Sequence, residues 1–522
     1  MAQTLDAVLI GAGVNTLACA LHLAARGKRV AVFEAAQTAG GAVKTGAYTL
    51  PGFRHDWAAM NLSLFASSPF FKAYGAELAL HGLTFAHAAQ PFATAFPDGS
   101  WLGVSTDAAA TTARIAAVSP QDGETWKGLA AAFPAEAGHL FGLLGSKMTL
   151  GALAACLVRA LRAKGLTGTM ALLRFLLASP RDWLDETFTA PRVRSLLAAW
   201  GMHLDFAPDS AGGALFPYLE AMAGQAHGMV IGQGGAATII TALVSAIRAR
   251  GGNVETGQTV TAILHRGGQV TGIHLADGRM IDANTVIAGV APAALIRLTG
   301  ATANPKFDLA MTRFSHAPGT MMIHLAMRAL PNWTAAPELQ GFAYVHLAPS
   351  LDQMARTYQQ AQAGLLPDEP ILVVGQPTAI DPSRAPEGKH VLWLQVRMAP
   401  GVIKGDAKGE ITAHDWPGAA EAFADRALTI LESYAPGTRA AILGQHIVTP
   451  LDLEADNPNL VGGDQLCGSH HLGQHFVFRP AYGHARGQTP IKGLHLTGAA
   501  VWPGAGTGAG AGFHLAKSLV GT

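Results

Sequence analysis

The chain has 522 residues, of which 49% are hydrophobic and only 14% are charged, and its formal net charge is +1. This length favours two domains, and a nearly neutral chain has no overall field that would attract nucleic acid. The three cysteines, Cys19, Cys156 and Cys467, include no CxxC pair. This excludes the dithiol chemistry of disulfide reductases and favours a reducing compartment, the cytoplasm.

The first glycine-rich segment, residues 5–34, predicts a strand, a turn, a helix and a second strand. The apolar run at 7–10 is followed by Gly11 and Gly13, whose turn lets the backbone approach a phosphate at the start of the helix. We expect Gly27 to end that helix. Since the first strand begins so early, we expect no secretory signal, and no apolar run is long enough to span a bilayer.

Glu34 ends the second predicted strand, about 20 residues after the glycines, where an acid accepts hydrogen bonds from ribose hydroxyls. A carboxylate there would repel a ribose 2′-phosphate. Thr16 stands where the fingerprint has its third glycine. This fingerprint alone does not separate NAD from FAD, and a strand–turn–helix without any ligand also remains open.

Two further segments favour FAD. Gly40 and Gly41 follow Glu34 closely, where a loop must turn beside an extended flavin dinucleotide. The block 232–288 then predicts a helix at 236–250 and several short strands, with backbone near Val260 suited to an adenine edge. An ordinary α/β insertion is the alternative interpretation of this block. The predicted strands lie near 254 and at 259–264, 270–275 and 285–288.

The second glycine-rich segment lies at residues 493–516. A strand at 494–498 runs into a turn at Gly498, and the stretch from Gly504 to Gly512 opens a last helix at 513–519. The N–H groups of that helix would face the carbonyl side of a flavin and stabilise charge on its reduced ring. A flexible glycine-rich tail is the alternative.

These segments resemble the phytoene desaturase-related flavoproteins, and within them the group similar to pyridine nucleotide-disulphide oxidoreductase domain-containing protein 2. The resemblance covers nearly the whole chain. It also includes a block more specific to the group, DPSRAPEGKH at 381–390, and the spacing RP…TPIKGL near the carboxyl end. It implies an α/β fold, with a glutathione-reductase-like (Rossmann-type) FAD domain and a substrate domain of mixed sheet and helices.

The resemblance also implies FAD as the cofactor and a discontinuous division of the chain. The FAD domain would comprise residues 1–75, 225–300 and 480–522, and the substrate domain residues 76–224 and 301–479. Relatives often have His where this chain has Trp502, which would reshape the pocket. The expected cofactor-binding residues are Gly11, Gly13, Glu34, Gly40, Gly41, Val260, Gly498, Gly504 and Gly512.

The substrate side contains a long stretch, 136–182, with no acid between its ends and six basic residues among leucines and alanines. Its part near 137–181 is either a basic amphipathic surface for anionic lipid or a lipid-like substrate, or two ordinary helices with a solvated or oligomeric face. The latter is favoured. Strands at 319–326, 341–347 and 391–397 predict a mixed sheet as the floor of a substrate cavity.

The segment with His470, His471 and His475 suggests a metal site, but beyond Cys467 no ligand supports it, so no metal is predicted. We expect this segment to line the pocket instead. No catalytic residue can be named from the sequence. The candidates for pocket residues are His55, Asp56, His471, Arg479 and Trp502.

The sequence thus predicts an FAD-dependent oxidoreductase (an oxidase, dehydrogenase or desaturase) that moves a hydride from an apolar or weakly polar small molecule to flavin N5 and forms a C=C or C=N bond. One alternative is a non-catalytic lipid- or partner-binding protein on the same fold. Another is an NAD(P)H-dependent flavin monooxygenase, although no second complete glycine fingerprint is present. A homo-oligomer and peripheral membrane contact stay open.

Overall fold

A computed structural model describes residues 5–521. The strands in chain order are β1 (Ala7–Ile10), β2 (Val30–Phe33), β3 (Thr45–Gly46), β4 (His55–Asp56), β5 (Phe85–Ala88), β6 (Phe92–Ala95), β7 (Trp101–Val104), β8 (Met229–Gly232), β9 (Asn253–Glu255), β10 (Val260–Arg266), β11 (Gln269–Leu275), β12 (Met280–Asp282), β13 (Val286–Ala288), β14 (Gly319–Met327), β15 (Tyr344–Leu347), β16 (Leu365–Leu366), β17 (Ile371–Gly375), β18 (His390–Ala399), β19 (Gly405–Asp406), β20 (Ile442–Val448) and β21 (Leu494–Leu496).

The helices in chain order are α1 (Val14–Ala25), α2 (Ser63–Ala66), α3 (Pro69–Leu80), α4 (Ala108–Ala116), α5 (Pro120–Leu144), α6 (Leu150–Leu177), α7 (Pro180–Thr187), α8 (Pro191–Met202), α9 (Leu215–His227), α10 (Thr238–Ala249), α11 (Pro292–Thr299), α12 (Pro305–Thr312), α13 (Leu351–Gln362), α14 (Trp416–Tyr434), α15 (Thr438–Ala441), α16 (Pro450–Asp456) and α17 (Gly510–Val520).

A parallel five-stranded sheet has the order β21-β13-β1-β2-β9. Its strands are short and buried, as expected for a parallel sheet covered on both faces. One face packs against α1, α10 and α17, and the other against the antiparallel sheet β10-β11-β12. The strand at 280–282 is the one element of this part that the sequence did not predict. The amino- and carboxyl-terminal glycine segments therefore meet in one layer.

The first strand–turn–helix forms as predicted. The run AVLI is buried along its whole length, and Leu17 and Leu21 of α1 face the sheet. Gly27 has φ +73° and donates its N–H to the carbonyl of Ala24, which terminates the helix. A left-handed glycine at this position satisfies the last helical carbonyls without a Cβ clash.

A mixed seven-stranded sheet has the order β20-β14-β18-β17-β15-β6-β7, in which only β15 and β6 pair in parallel. Successive residues of β14 alternate between its two faces, as the pleat requires. One face packs against α14 through Trp416 and Phe423, and the other carries Met322, Tyr344 and Trp393. The strand predicted at 341–347 begins at Tyr344 because 337–341 form a 3₁₀ turn.

The predicted helical stretch forms the antiparallel pair α5 and α6, which is continued by α7, α8 and α9. Gly165 interrupts α6 with φ +66° and ψ −174°. Among residues 5–521, no helix combines the length and apolar character that crossing a bilayer requires. Strand β5 pairs with β8, across the predicted boundary near residue 225, and the division of the chain into domains stays a prediction.

Candidate cofactor and active site

The first glycine turn leaves open space at the start of α1. A Cβ placed on Gly13 would meet no atom within 4 Å, and no side chain caps the helix. Glu34 reaches this turn, because its Oε2 accepts the N–H of Ala12 at 2.6 Å. The predicted phosphate turn and the predicted ribose acid are therefore adjacent, which is the arrangement that a dinucleotide needs.

Thr16 stands in place of the third fingerprint glycine. A glycine of the neighbouring strand, Gly289, lies opposite it. A Cβ on Gly289, directly after β13, would lie only 2.2 Å from Thr16 Oγ1 and 2.9 Å from the carbonyl oxygen of Ile10. The glycine at the end of the strand leaves room for the Thr16 side chain of the helix, so the helix still packs closely on the sheet. This compensation involves positions 273 residues apart (289 minus 16).

The second glycine pair packs onto the first turn. Gly40 has φ +134°, donates its N–H to the carbonyl of Ala12 at 3.0 Å, and has no room for a Cβ because the carbonyl oxygen of Val43 would lie 2.3 Å away. A Cβ on Gly41 would lie 3.6 Å from the Cα of Gly13. The structure thus brings the two predicted glycine sites together.

The carboxyl-terminal loop closes on the same place. A Cβ on Gly512 would lie 1.7 Å from the carbonyl oxygen of Asn15, and the Gly512 N–H lies 3.3 Å from Asn15 Oδ1. Gly498 has φ +110° and open space beside it, whereas Gly504 contacts His470, whose Nε2 accepts the N–H of Ala505 at 3.0 Å. Gly512 thus packs against the start of α1 and Gly504 against His470, and the cofactor contacts of Gly498, Gly504 and Gly512 stay predictions.

Val260 begins a strand that starts beside the ribose acid. The N–H of Gln258 donates to the carbonyl of Glu34 at 2.8 Å, and Gly257 donates to Ala36 at 2.8 Å. Val260 follows two residues later at the start of β10. The contact of this backbone with an adenine edge stays a prediction.

The glycine turns, the acid and the uncapped starts of α1 and α17 together fit an extended FAD. The family model for flavin containing amine oxidoreductases matches residues 17–402. The chain belongs to this family. It is an FAD-dependent oxidoreductase, as the sequence predicted, and the cofactor would lie along the first and last glycine segments. Cys19, Cys156 and Cys467 are all free.

Individual relatives agree with this assignment. Pyridine nucleotide-disulfide oxidoreductase domain-containing protein 2 from Rattus norvegicus is 27% identical over 556 residues, covering 98% of this chain and 92% of its own length. Phytoene dehydrogenase from Streptomyces griseus is 26% identical over 514 residues, covering 91% and 87%. An oxidoreductase structure from Methanosarcina mazei superimposes with a TM-score of 0.62 at 18% identity, covering 98% and 99%. The predicted group and fold class are confirmed.

Asp56 has a structural role rather than the predicted pocket role. Its Oδ1 accepts from Thr45 Oγ1 and the Ala236 N–H, and its Oδ2 accepts from Arg384 Nη1 at 2.7 Å. Arg384 also donates to Asp381 Oδ2 at 3.1 Å. Since Asp56 and Arg384 are both fully buried, no oxygen of Asp56 is free for substrate.

The block DPSRAPEGKH thereby gains a physical explanation. Asp381 accepts the N–H of Gly234 at 2.6 Å, and Arg384 donates to the carbonyl of Gly232 at 2.8 Å. The block therefore holds the glycine turn before α10 against the β3–β4 hairpin. We name Asp56, Asp381 and Arg384 the buried latch.

His55, next to Asp56, is buried in an aromatic group. Its Nε2 lies 2.8 Å from Thr49 Oγ1, and its ring lies 5.3 Å from that of His324. Burial and the nearby charges of His446 and Arg384 lower the pKa of His55 to about 4. A ring whose pKa lies this far below neutrality is a weak general base at neutral pH.

Arg479, another predicted pocket residue, is hydrogen-bonded to the backbone of the last glycine loop. Its guanidinium donates to the carbonyls of Ala499 and Ser469 at 2.7–3.0 Å, and burial lowers its pKa to about 10. It stays cationic and ties the segment 467–469 to the last glycine loop. Its role in this structure is positioning.

Trp502 and the three histidines point to different neighbours. The indole N–H of Trp502 donates to the carbonyl of Ser146 at 2.9 Å, and its ring packs against His475 at 5.1 Å. His471 Nε2 lies 2.8 Å from the carbonyl oxygen of Asp205. Within residues 5–521, no three His, Cys, Asp or Glu side chains form a metal cluster.

The sequence did not single out the side chains on the face of the mixed sheet that carries Tyr344 and Trp393. Tyr344 stacks on Trp393 with ring centres 5.6 Å apart and planes 13° apart. Arg397, on the same strand as Trp393, donates to the carbonyls of Met202 and His203 at 2.9 and 3.0 Å. Alternation along the strands contained this signal, but only the sheet order shows that these side chains share one face.

Proposed function

We propose that the chain dehydrogenates an apolar or weakly polar small molecule, whose hydride passes to flavin N5 as a C=C or C=N bond forms. One observation carries the proposal: the face of the seven-stranded sheet toward the cofactor loops is rich in buried aromatic rings, which share it with the polar side chains of Gln395 and Arg397. Met60 belongs to the same buried cluster as Tyr344 and Trp393. The next residue, Asn61, has a carbonyl 3.4 Å from Thr507 Oγ1 of the last glycine loop.

Bound FAD supplies the hydride acceptor, and the protein supplies orientation and electrostatics. The start of α17, left uncapped at Ala509, would place helix N–H groups near developing negative charge. The packed aromatic face excludes water and orients an apolar substrate by contact. Arg397 provides a fixed cation on this same face; burial lowers its pKa to about 10, so it stays charged.

The first test is spectroscopic. We expect purified protein to be yellow, and its flavin to bleach anaerobically with at least one of phytoene, limonene or cyclohexylamine. Colourless protein that cannot be reconstituted with FAD would contradict the proposal. Flavin that stays oxidised with all three donors, together with tight lipid or protein binding, would favour the binding-protein alternative, and bleaching by NADPH alone would favour a monooxygenase.

A matched pair of variants tests the cofactor turn. A Cβ on either Gly13 or Gly128 meets no atom within 4 Å, so both alanine variants should fold. Gly13→Ala should weaken FAD binding at least tenfold because its methyl group occupies the space beside the phosphate turn, while Gly128→Ala on α5 should bind FAD as the wild type does. Equal FAD affinity in the two variants would remove Gly13 from the site.

We also propose that α6 rests on an anionic membrane surface. Between α5 and α6 lies a groove of about 540 Å³ lined by Lys147, Arg159 and Arg162, none of which forms an ion pair in the described part of the chain. Beside it, α6 exposes large apolar side chains, an unusual surface for a water-facing helix. They are Leu150, Leu157, Val158, Leu161, Leu166, Met170, Leu173 and Leu177.

Vesicle flotation tests this surface. Wild-type protein should float with phosphatidylcholine vesicles containing phosphatidylglycerol, and less with phosphatidylcholine alone. Leu150→Gln with Leu166→Gln should reduce flotation several-fold, whereas Leu80→Gln, an equally exposed leucine on α3, should not. If the double variant instead dissociates an oligomer in solution and flotation is unchanged, the face is a contact between copies of the chain.

A further inference from the structure

Helix α9 passes between the mixed sheet and the carboxyl-terminal loop. One turn before Glu220, the ring of Phe216 lies 6.2 Å from the ring of His475. One turn after it, a Cβ on Gly224 would lie 3.3 Å from the ring of Phe92 on the sheet. Because residues four apart lie on one side of a helix, the Glu220 side chain points into the space between these two contacts.

Glu220 has no hydrogen-bond or ion-pair partner among residues 5–521, although most interior carboxylates in this protein have several. It is half-buried, and burial raises its pKa to about 7. Its charge also contributes to raising the pKa of Tyr344. An unpartnered, half-buried carboxyl whose charge affects the pKa of Tyr344 lies beside the face of the sheet that carries Tyr344.

The other ionisable groups of this space are unsuited to accept a proton. Asp56 is fully engaged in the buried latch, and Arg397 is a cation. Burial lowers the pKa of His346 to about 3, and burial raises that of Tyr344 so that its hydroxyl stays protonated. A useful general base has a pKa near the working pH, and of these groups Glu220 meets that condition.

The elements packed on α9 bring few other charges toward Glu220. On α5, Glu136 is paired with Lys164. On α8, His203 lies 3.2 Å from His346, and burial, with His346 and Arg397 nearby, lowers the His203 pKa well below its usual value. Strand β7 carries no titratable side chain. The pKa of the Glu220 carboxyl is therefore raised by burial, with no nearby cation to lower it.

We infer that Glu220 is the proton acceptor of the dehydrogenation, an inference that rests on the proposed function. Its carboxylate takes the proton from the substrate atom next to the carbon that loses hydride. The electron pair of that broken bond becomes the second bond of the C=C or C=N product. Bound FAD would supply the hydride acceptor, and the protonated Glu220 would afterwards return its proton to solvent.

The first experiment needs no substrate. The midpoint potential of the FAD holoprotein is measured from pH 5.5 to 8.5 by dithionite titration with a reference dye, for wild type, Glu220→Gln and the exposed control Glu421→Gln. Because the flavin charge changes on reduction, an adjacent carboxyl makes the potential steepen with pH near neutrality. We expect this feature in wild type and Glu421→Gln and its loss in Glu220→Gln. Its absence from wild type, or its persistence in Glu220→Gln, would overturn the inference.

The second experiment measures anaerobic flavin reduction by phytoene, limonene and cyclohexylamine. Glu220→Gln, with wild-type FAD content and melting temperature, should reduce its flavin about 100-fold more slowly and without the rise in rate from pH 6 to 8. An unchanged rate would also overturn the inference. If no donor reduces wild-type flavin, the proposed function fails, and the potential measurement still decides whether Glu220 ionises beside the flavin.

Discussion

Arg384 joins three segments that are far apart in sequence through a fully buried guanidinium. Its carboxylate partners Asp56 and Asp381 are also buried. A buried ion pair is costly to form, but removing one partner leaves an uncompensated charge in the interior. Removing one member of the latch should therefore destabilise the fold more than the intact ion pairs stabilise it.

Arg384→Ala should lower the free energy of unfolding by about 3–5 kcal/mol, since it leaves two buried carboxylates unpaired. Urea denaturation followed by circular dichroism measures the loss. The control Arg279→Ala breaks ion pairs of a side chain that is 41% exposed, and should cost less than about 1 kcal/mol. Similar losses in both variants would contradict the structural role of the latch.

The pairing of Thr16 with Gly289 predicts dependence between two substitutions. Gly289→Ala should be destabilising by about 1–3 kcal/mol, because the new methyl group overlaps Thr16 Oγ1. Adding Thr16→Gly should recover part of that loss, while the contact with the Ile10 carbonyl keeps the recovery incomplete. A double-mutant cycle on unfolding free energies measures the coupling. Strict additivity would show that the two positions are not in contact.

At the scale of elements, Gly165 divides α6 into two segments. Its φ of +66° with ψ of −174° belongs to a region that glycine alone occupies comfortably. Directly before it, Lys164 forms an ion pair with Glu136 of α5. The break therefore lies next to an ion pair between the two helices. Both segments expose apolar side chains, and the break changes the direction of the second segment relative to the first.

Gly165→Ala should cost about 1–3 kcal/mol of unfolding free energy, or else straighten α6 and reduce vesicle flotation. Gly151→Ala in the same helix is the control, since a Cβ there meets no atom within 4 Å. It should stabilise the protein by about 0.5–1 kcal/mol, because alanine has the better helix propensity. The two alanine variants thus differ in the sign of their effect, which thermal unfolding measures.

At the scale of the whole molecule, several histidines are buried in neutral form. Burial lowers the pKa of His346 to about 3, and burial with nearby charge lowers those of His55 and His475 to about 4 and about 3. In the unfolded chain a histidine titrates near 6.5. The folded state therefore binds fewer protons below that pH, and its stability is complete above about pH 6.5 and falls toward the folded pKa values.

We expect the free energy of unfolding to drop between pH 7.5 and 5, by about 2 kcal/mol for each such histidine. His346→Gln should remove about that much of the pH dependence, measured by urea denaturation at several pH values. His227→Gln should leave it as in wild type, because this ring is exposed to water in both states. A pH-independent stability over this range would show that these rings are protonated when folded.

The sequence predicted the local units of this fold and little of their mutual contacts. The turn at Gly11 and Gly13 is specified by a few adjacent residues, so its strand and helix follow from spacing. Asp56 was misjudged because its partner Arg384 is 328 residues away. Glu220 was not noticed because a single acid within an apolar helix has no pattern of its own, and only packing shows which neighbours it lacks.

The pairing of β21 with β13, and of α17 with α1, has a consequence for biosynthesis. A nascent chain synthesised only as far as residue 480 lacks the edge strand of the parallel sheet and the helix that covers Asn15. Until those last segments emerge from the ribosome, the apolar groove along α1 is uncovered. We therefore expect the FAD site to be complete only after the last segments of the chain have been synthesised.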